Sequence, residues 1–273
     1  MPDAAKVDRP YQGSAAYYAR YRPPYPAGLV TLLKDAFQLD GSGRLLDLGC
    51  GPGPVAIRLA HLFERVVAMD PEPDMLAEGA VQASRAGVTN IEWVRGRSEE
   101  LSAGLGMFRL VTMGESFHWM DPRVTLEALY DLVDLGGGVA IVGRGTPLPL
   151  PPMTPWRAAV ARVLRRYLGD ILLPWDRPPP APGDLHQDVV RASRFELLSE
   201  HSERFEVPWT FETMLGNLYS MSFCSRDRLG ERAEAFERDL RDAVLAVEPS
   251  GNLRGELHEF FALLAVKRVP AAG

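Results

Sequence analysis

Three features of the sequence predict a doubly wound α/β fold, with a mostly parallel sheet covered by helices on both faces. Short apolar runs alternate with amphipathic segments from Arg44 to about Val142. A glycine loop, Gly49-Cys50-Gly51-Pro52-Gly53, separates the first apolar run from the first helical segment. Asp70 ends the next apolar run about 20 residues further on, where such folds place an acid on a ribose diol.

The elements follow in order. Leu45 to Leu48 reads as a buried strand and Val55 to Phe63 as a helix. Arg65 to Met69 is a second strand, Asp74 to Arg85 a second helix, Ile91 to Val94 a third strand and Phe108 to Met113 a fourth. A helix over Arg123–Val133 and a strand over Gly138–Val142 complete the run. Strands alternating with helices need crossover connections, and right-handed crossovers cover both faces of the sheet. Proline-rich stretches, Thr146 to Pro155 and Pro174 to Pro182, flank a helix over Trp156–Leu168 and cannot join a central sheet. Glu203 to Val207 reads as a further strand, and Thr210 to Ser222 and Asp227 to Val247 as helices. Leu257 to Val266 is expected to close the sheet beside an antiparallel partner. The expected organisation is an N-terminal helical lid over residues 1–35, a core over 36–145 and 196–273 with helical additions, and a cap insertion over 146–195.

Composition narrows the function. The chain has 273 residues, a formal net charge of −6 and a hydrophobic share of 46%. That is ordinary for a globular protein, and the acidic balance argues against a nucleic-acid partner. Arg157, Arg162, Arg165 and Arg166 are the densest basic group, read as a solvated helix face. No apolar stretch approaches the ~20 residues of a membrane helix, and the first ten residues lack a secretory apolar region. Two cysteines, Cys50 and Cys224, are too few for a disulfide framework, which points to a cytoplasmic setting. Arginine far outnumbers lysine, a mark of GC-rich coding that carries no mechanistic meaning.

The loop carries the chemistry. Glycines let the backbone turn and approach a ligand without Cβ clashes, and the following helix start offers free amides. A dinucleotide site asks for G-x-G-x-x-G, whereas this loop is G-x-G-x-G with Pro54 in place of the third glycine. Asp47, just before the loop, would repel a pyrophosphate and suits a ligand with an amine. Both departures favour S-adenosylmethionine over a nicotinamide cofactor.

Leu45 to Gly53 resembles the first motif of class I methyltransferases and Val67 to Met75 the second. Arg95 to Leu101 resembles their third motif, G-x-A-E-x-L. Val111 to Asp121, with Ser116-Phe117-His118-Trp119, is similar to the x-F-H-W-x-D motif of the type 11, trans-aconitate-methyltransferase-like branch, as is Tyr17 to Pro26. The resemblance implies a seven-stranded, mostly parallel Rossmann-like sheet and S-adenosylmethionine as cofactor. It places Gly49, Gly51 and Gly53 beneath the methionine moiety, with Asp47 and Cys50, a small residue within the loop, as further cofactor-side residues. Asp70 would take the ribose hydroxyls, Pro71 and Met75 would line the adenine, and Ser98 and Glu99 would hold its edge. Glu115 falls where backbone contacts reach the cofactor.

Methyl transfer from a sulfonium is an in-line displacement, so alignment dominates and a base helps only when the nucleophile keeps a proton. His118 is the candidate catalytic residue, as base or as orienting group. Tyr21, Tyr25 and Trp119 are the candidate acceptor-side residues. The tyrosines Tyr11, Tyr17, Tyr18, Tyr21 and Tyr25 read either as an aromatic lid or as a staple holding an N-terminal helix. His186, His201 and His258 lack ligand spacing, so no metal site is expected. The expected acceptor is a small molecule of bacterial, specialised metabolism, with neither nucleic acid nor membrane as partner. Two alternatives stay open: a non-methylating enzyme that binds the same cofactor, such as a cyclase or isomerase, and a nicotinamide oxidoreductase.

Overall fold

The computed structural model describes residues 9–145, 153–169, 171, 173 and 183–268. Seven strands form one sheet in the order β3-β2-β1-β4-β5-β7-β6. They are β1 Arg44–Leu48, β2 Arg65–Asp70, β3 Ile91–Arg95, β4 Phe108–Gly114, β5 Val133–Gly145, β6 Glu196–Thr210 and β7 Asn252–Val266. β1 pairs in parallel with β2 and β4, β2 with β3, and β4 with β5, while β5 and β7 run antiparallel. The chain steps outward from β1 in one direction and returns to its other side at β4, so the strand order reverses between them. A crevice opens at the carboxyl ends of the strands at such a reversal. The glycine loop begins one residue after β1, at that point.

The chain divides into two compact units. The sheet unit comprises the described residues of Pro24–Gly145, Pro179–Glu203 and Glu259–Gly273. Its helices are α2 Gly28–Phe37, α3 Ala56–Leu59, α4 Pro73–Arg85, α5 Pro122–Leu132 and α7 His186–Arg191. The central strands read as near-continuous apolar runs because both faces are covered. Leu46, Leu48, Val111, Met113, Val139 and Ile141 form its core with Leu126, Leu129, Val189 and Val190. Helices α4 and α5 begin sharply, at Pro73 and Pro122, with Glu72 and Asp121 as capping acceptors. The expected helix over Val55–Phe63 is instead the single α-turn of α3 followed by a 3₁₀ turn, Ala60–Leu62.

The helical unit comprises the described residues of Met1–Pro23, Thr146–Pro178 and Arg204–His258. It holds α1 Ala15–Tyr21, α6 Pro155–Leu168, α8 Phe211–Tyr219, α9 Arg226–Leu229 and α10 Ala233–Leu245. Trp156, Leu164, Trp209, Phe211, Leu218, Phe236 and Leu240 build a separate core. The unit boundaries fall at other points than the expected ones. Helix α2 groups with the sheet because Leu29 and Leu33 are fully buried, and residues 204–258 group with α6 rather than with the sheet core. The proline-rich stretches lie largely outside the described residues. The basic face of α6 is partly neutralised, since Arg157 pairs with Glu256 and Arg166 with Asp239. None of the helices among the described residues is long and apolar enough to cross a membrane.

Candidate active site

The loop is built by β1, β2 and β4 together. The amides of Gly49 and Cys50 both donate to the Met69 carbonyl, at 2.8 and 3.0 Å, tying the loop to the end of β2. Gly49, Gly51 and Gly53 all have positive φ, at 70°, 54° and 75°. Each is glycine for a different spatial reason. A Cβ on Gly49 would lie 2.5 Å from Cβ of Ser116, and one on Gly53 would lie 2.6 Å from the Trp93 indole. A Cβ on Gly51 would meet no protein atom within 4 Å. The space above Gly51 is therefore open, as a loop that cradles a ligand requires.

Asp70 faces this space. Its Oδ2 accepts the Gly51 amide at 2.8 Å and its Oδ1 the Glu72 amide at 2.9 Å. Each carboxylate oxygen retains a further lone pair, so the group remains an acceptor for a diol. Burial raises its pKa, and the two amides oppose that rise by favouring the ionised form.

Asp47 is placed differently from the expectation. It is 1% exposed, its Oδ1 accepts the Thr112 hydroxyl at 2.7 Å, and its Oδ2 accepts the Ala56 amide at 3.1 Å. It pins the start of α3 to β1 and β4. Burial raises its pKa to about 6, against the pull of Thr112 and Ala56. Cys50 is buried, and burial with the carboxylates of Asp47 and Asp70 pushes its thiol well above the ordinary range.

The remaining cofactor-side residues divide. Pro71 is exposed at the end of β2, whereas Met75 is 1% exposed and belongs to the core under the first turn of α4. Met75 thus packs within the protein. Ser98 and Glu99 form a 3₁₀ turn after β3, with the Ser98 hydroxyl 3.3 Å from Glu99 Oε2. Glu115 has φ 56°, left-handed backbone in a residue with a Cβ. Its amide donates to the Val142 carbonyl, and its carboxylate accepts the Arg144 amide while lying 3.9 Å from the Arg144 guanidinium. The side chain of Glu115 is committed to β5, a role the expected backbone contact did not include.

On the acceptor side, His118 and Trp119 sit on an exposed 3₁₀ turn, Phe117–Trp119, after β4. The turn is anchored by Phe117, 1% exposed, and by Ser116, whose hydroxyl donates to the Leu48 carbonyl at 2.6 Å. Trp119 is 53% exposed, with its ring 5.7 Å from that of His118. Tyr25 is buried in the sheet unit, 4.1 Å beneath the Arg144 guanidinium and edge-on to Phe260. Tyr21 belongs to the helical unit. Its ring covers Gly216 and its hydroxyl donates to Glu212 at 3.1 Å, while Tyr17 packs on Tyr219. Tyr17 and Tyr21 therefore staple α1 to α8, the second of the two expected roles for the tyrosines.

Sequence reasoning assigned no structural role to Thr112, Ser116, Trp93 or His186. Thr112 lies within β4 and Ser116 just after it, and only their partners, Asp47 and the Leu48 carbonyl, reveal their roles. His186, first residue of α7, packs edge-on to Phe117 at 5.1 Å and near Phe261 at 6.1 Å. No group of His, Cys, Asp and Glu able to hold a metal occurs among the described residues.

Comparison with known proteins agrees with this geometry. A methyltransferase-domain family matches residues 45–137, the loop and strands just described. An uncharacterized methyltransferase of Mycobacterium tuberculosis is 30% identical over 235 residues, 85% of this chain and 84% of that protein. An uncharacterized methyltransferase-like protein of Schizosaccharomyces pombe is 25% identical over 169 residues, 61% of this chain and 62% of that protein. Among solved structures, an S-adenosylmethionine-dependent methyltransferase of Geobacter sulfurreducens, in complex with S-adenosylhomocysteine, superposes with a TM-score of 0.57. It is 17% identical, covering 95% of this chain and 98% of that one. The (4+2)-cyclase SpnF has the same fold, with a TM-score of 0.53 and 17% identity over 91% of this chain and 84% of that one. The chain belongs to the class I S-adenosylmethionine-dependent methyltransferases.

Proposed function

We propose that the chain transfers a methyl group from S-adenosylmethionine to a small-molecule acceptor in the bacterial cytoplasm. The observation that carries the reading is the open space over Gly51, bordered by the ionisable, nearly buried Asp70. Bound there, S-adenosylmethionine supplies an electrophilic methyl on a sulfonium whose departure leaves sulfur neutral. Gly51 lets the loop backbone approach the methionine portion, and Asp70 accepts from the ribose hydroxyls. Pro71, with Ser98 and Glu99, borders the adenine. Asp47, Thr112 and Ser116 act on the protein side, holding the loop against β1 and β4 so that its shape precedes binding.

The acceptor lies toward His118, which stands on the turn after β4. Trp119 offers an exposed aromatic wall beside it. Two buried free thiols, Cys50 and Cys224, suit a reducing compartment.

The test is incubation of the chain with a radiolabelled methyl donor and fractionated metabolite, protein and nucleic-acid extracts. Label in the small-molecule fraction, with a product mass gain of one methyl, is expected. Label confined to protein or nucleic acid would overturn the acceptor class. A product of unchanged mass would favour the cyclase or isomerase alternative.

A further inference from the structure

Trp93 lies in β3 beside the glycine loop and far from it in sequence. Its neighbour Val94 packs against the core cluster that holds Val67 and Met69. Alternation along the strand therefore turns Trp93 to the opposite face of the sheet. The β2 residue in register with it is the small Ala68, and Asp70 follows two residues on, on that same face. The outer edge of the indole meets two glycines. A Cβ on Gly79 of α4 would lie 2.4 Å from Cζ3 and 2.5 Å from Cη2 of the ring. A Cβ on Gly53 would lie 2.6 Å from the same Cη2. Gly79 stands inside α4, where alanine would ordinarily be favoured over glycine. Its missing side chain answers to the indole.

The indole also meets the part of the loop that β2 does not hold. The Met69 carbonyl receives the Gly49 and Cys50 amides, and Asp70 receives the Gly51 amide. The backbone bonds of Gly53 run to Cys50 and Ile57, within the loop and α3.

We propose that Trp93 is a positioning residue of the cofactor loop: its indole edge, seated on Gly79, fixes where Gly53 lies and so sets the curve over which S-adenosylmethionine binds. The inference rests on the placement of the cofactor over Gly51 given above. Trp93 acts through Gly53 and takes no part in the methyl transfer itself. Close-packed side chains transmit a change of one methyl group. A methyl added at Gly79 presses on the same ring edge that meets Gly53, so α4 is coupled to the loop through the indole.

The test is a two-site cycle read by calorimetric titration of the full-length chain with S-adenosylhomocysteine. Gly79→Ala crowds the indole, and Trp93→Phe ends short of both glycines and leaves the loop unsupported. Each should weaken binding by about fivefold or more, as overpacking or loss of packing at this contact requires. The added methyl refills the space that the shorter ring leaves. The double variant should therefore bind within about twofold of the parent, the non-additivity expected of residues in contact. Trp93→Tyr replaces Trp93→Phe if the latter folds poorly. A purely structural indole would shift the melting temperature and leave affinity alone. Parental affinity in either single variant, or losses that simply multiply in the double, would overturn the proposal. Failure of the parent chain to bind S-adenosylhomocysteine would instead overturn the cofactor reading on which it rests.

Discussion

Replacing Gly51 by alanine separates the ligand's space from the protein's own packing. At φ 54°, a residue with a Cβ costs about 1–2 kcal/mol in backbone strain. No atom lies within 4 Å of the new methyl, so no clash adds to that cost. For a chain of this size the melting temperature should fall by only a few degrees. The methyl would occupy the space above the loop, so S-adenosylmethionine affinity should fall at least tenfold, about 1.4 kcal/mol. Gly136→Ala is the matched control. It shares a positive φ of 81° and an open Cβ position, but Gly136 lies at the start of β5, where its amide donates to the Lys267 carbonyl. Calorimetric titration and thermal melts of both variants decide the matter. Equal affinity losses, or none in Gly51→Ala, would refute the placement of the cofactor on this loop.

Asp70→Ala should weaken cofactor binding at least tenfold, as loss of charge-assisted bonds worth about 1.5–3 kcal/mol requires. It should also lower the melting temperature, since the Gly51 and Glu72 amides lose their acceptor. Asp47 gives a pH effect with a defined sign. Its folded-state pKa of about 6 lies above the unfolded value of 3.8, so the folded chain binds the proton more tightly. Its contribution therefore favours the folded state at low pH and is lost as pH rises through about 6. Denaturant melts of the parent should lose up to about 3 kcal/mol relative to Asp47→Asn between about pH 4 and pH 7. A constant difference would show that the group is not buried as described. Arg144→Ala should destabilise the sheet unit by about 3 kcal/mol, leaving the Glu115 carboxylate in a largely buried setting without its guanidinium. A melting temperature within error of the parent would show that the pair is structurally idle.

The parts of this molecule that periodicity encodes were legible in the sequence. β1, β2, β4 and α4 are apolar runs or amphipathic stretches bounded by Gly, Pro or acidic caps, and each appears within a residue or two of its expected bounds. The glycine loop and the strand end at Asp70 were legible because a strand–loop–helix junction leaves a local pattern in the sequence. The structural partners of Asp47 were not legible, because nothing local shows that its oxygens accept from Thr112 and Ala56. The burial of Met75 was likewise not legible, since a motif position says nothing about which way a helix turns its side chain. Long-range partners leave no local trace. Nothing near His186 in sequence indicates Phe117, and nothing near Trp93 indicates that its indole fills the space left by Gly53 and Gly79. The unit boundaries likewise depend on how residues 204–258 pack with α6, which no turn signal announces.

The most direct measurement of the central claim is calorimetric titration of the full-length chain with S-adenosylmethionine, S-adenosylhomocysteine and the nicotinamide dinucleotides. The loop with Pro54 where a dinucleotide site has its last glycine, the open space over Gly51 and the acceptor Asp70 predict saturable one-to-one binding of the two sulfur nucleosides, lost or weakened in Gly51→Ala and Asp70→Ala. Saturable binding of a nicotinamide dinucleotide, with none of the sulfur nucleosides, would contradict the account.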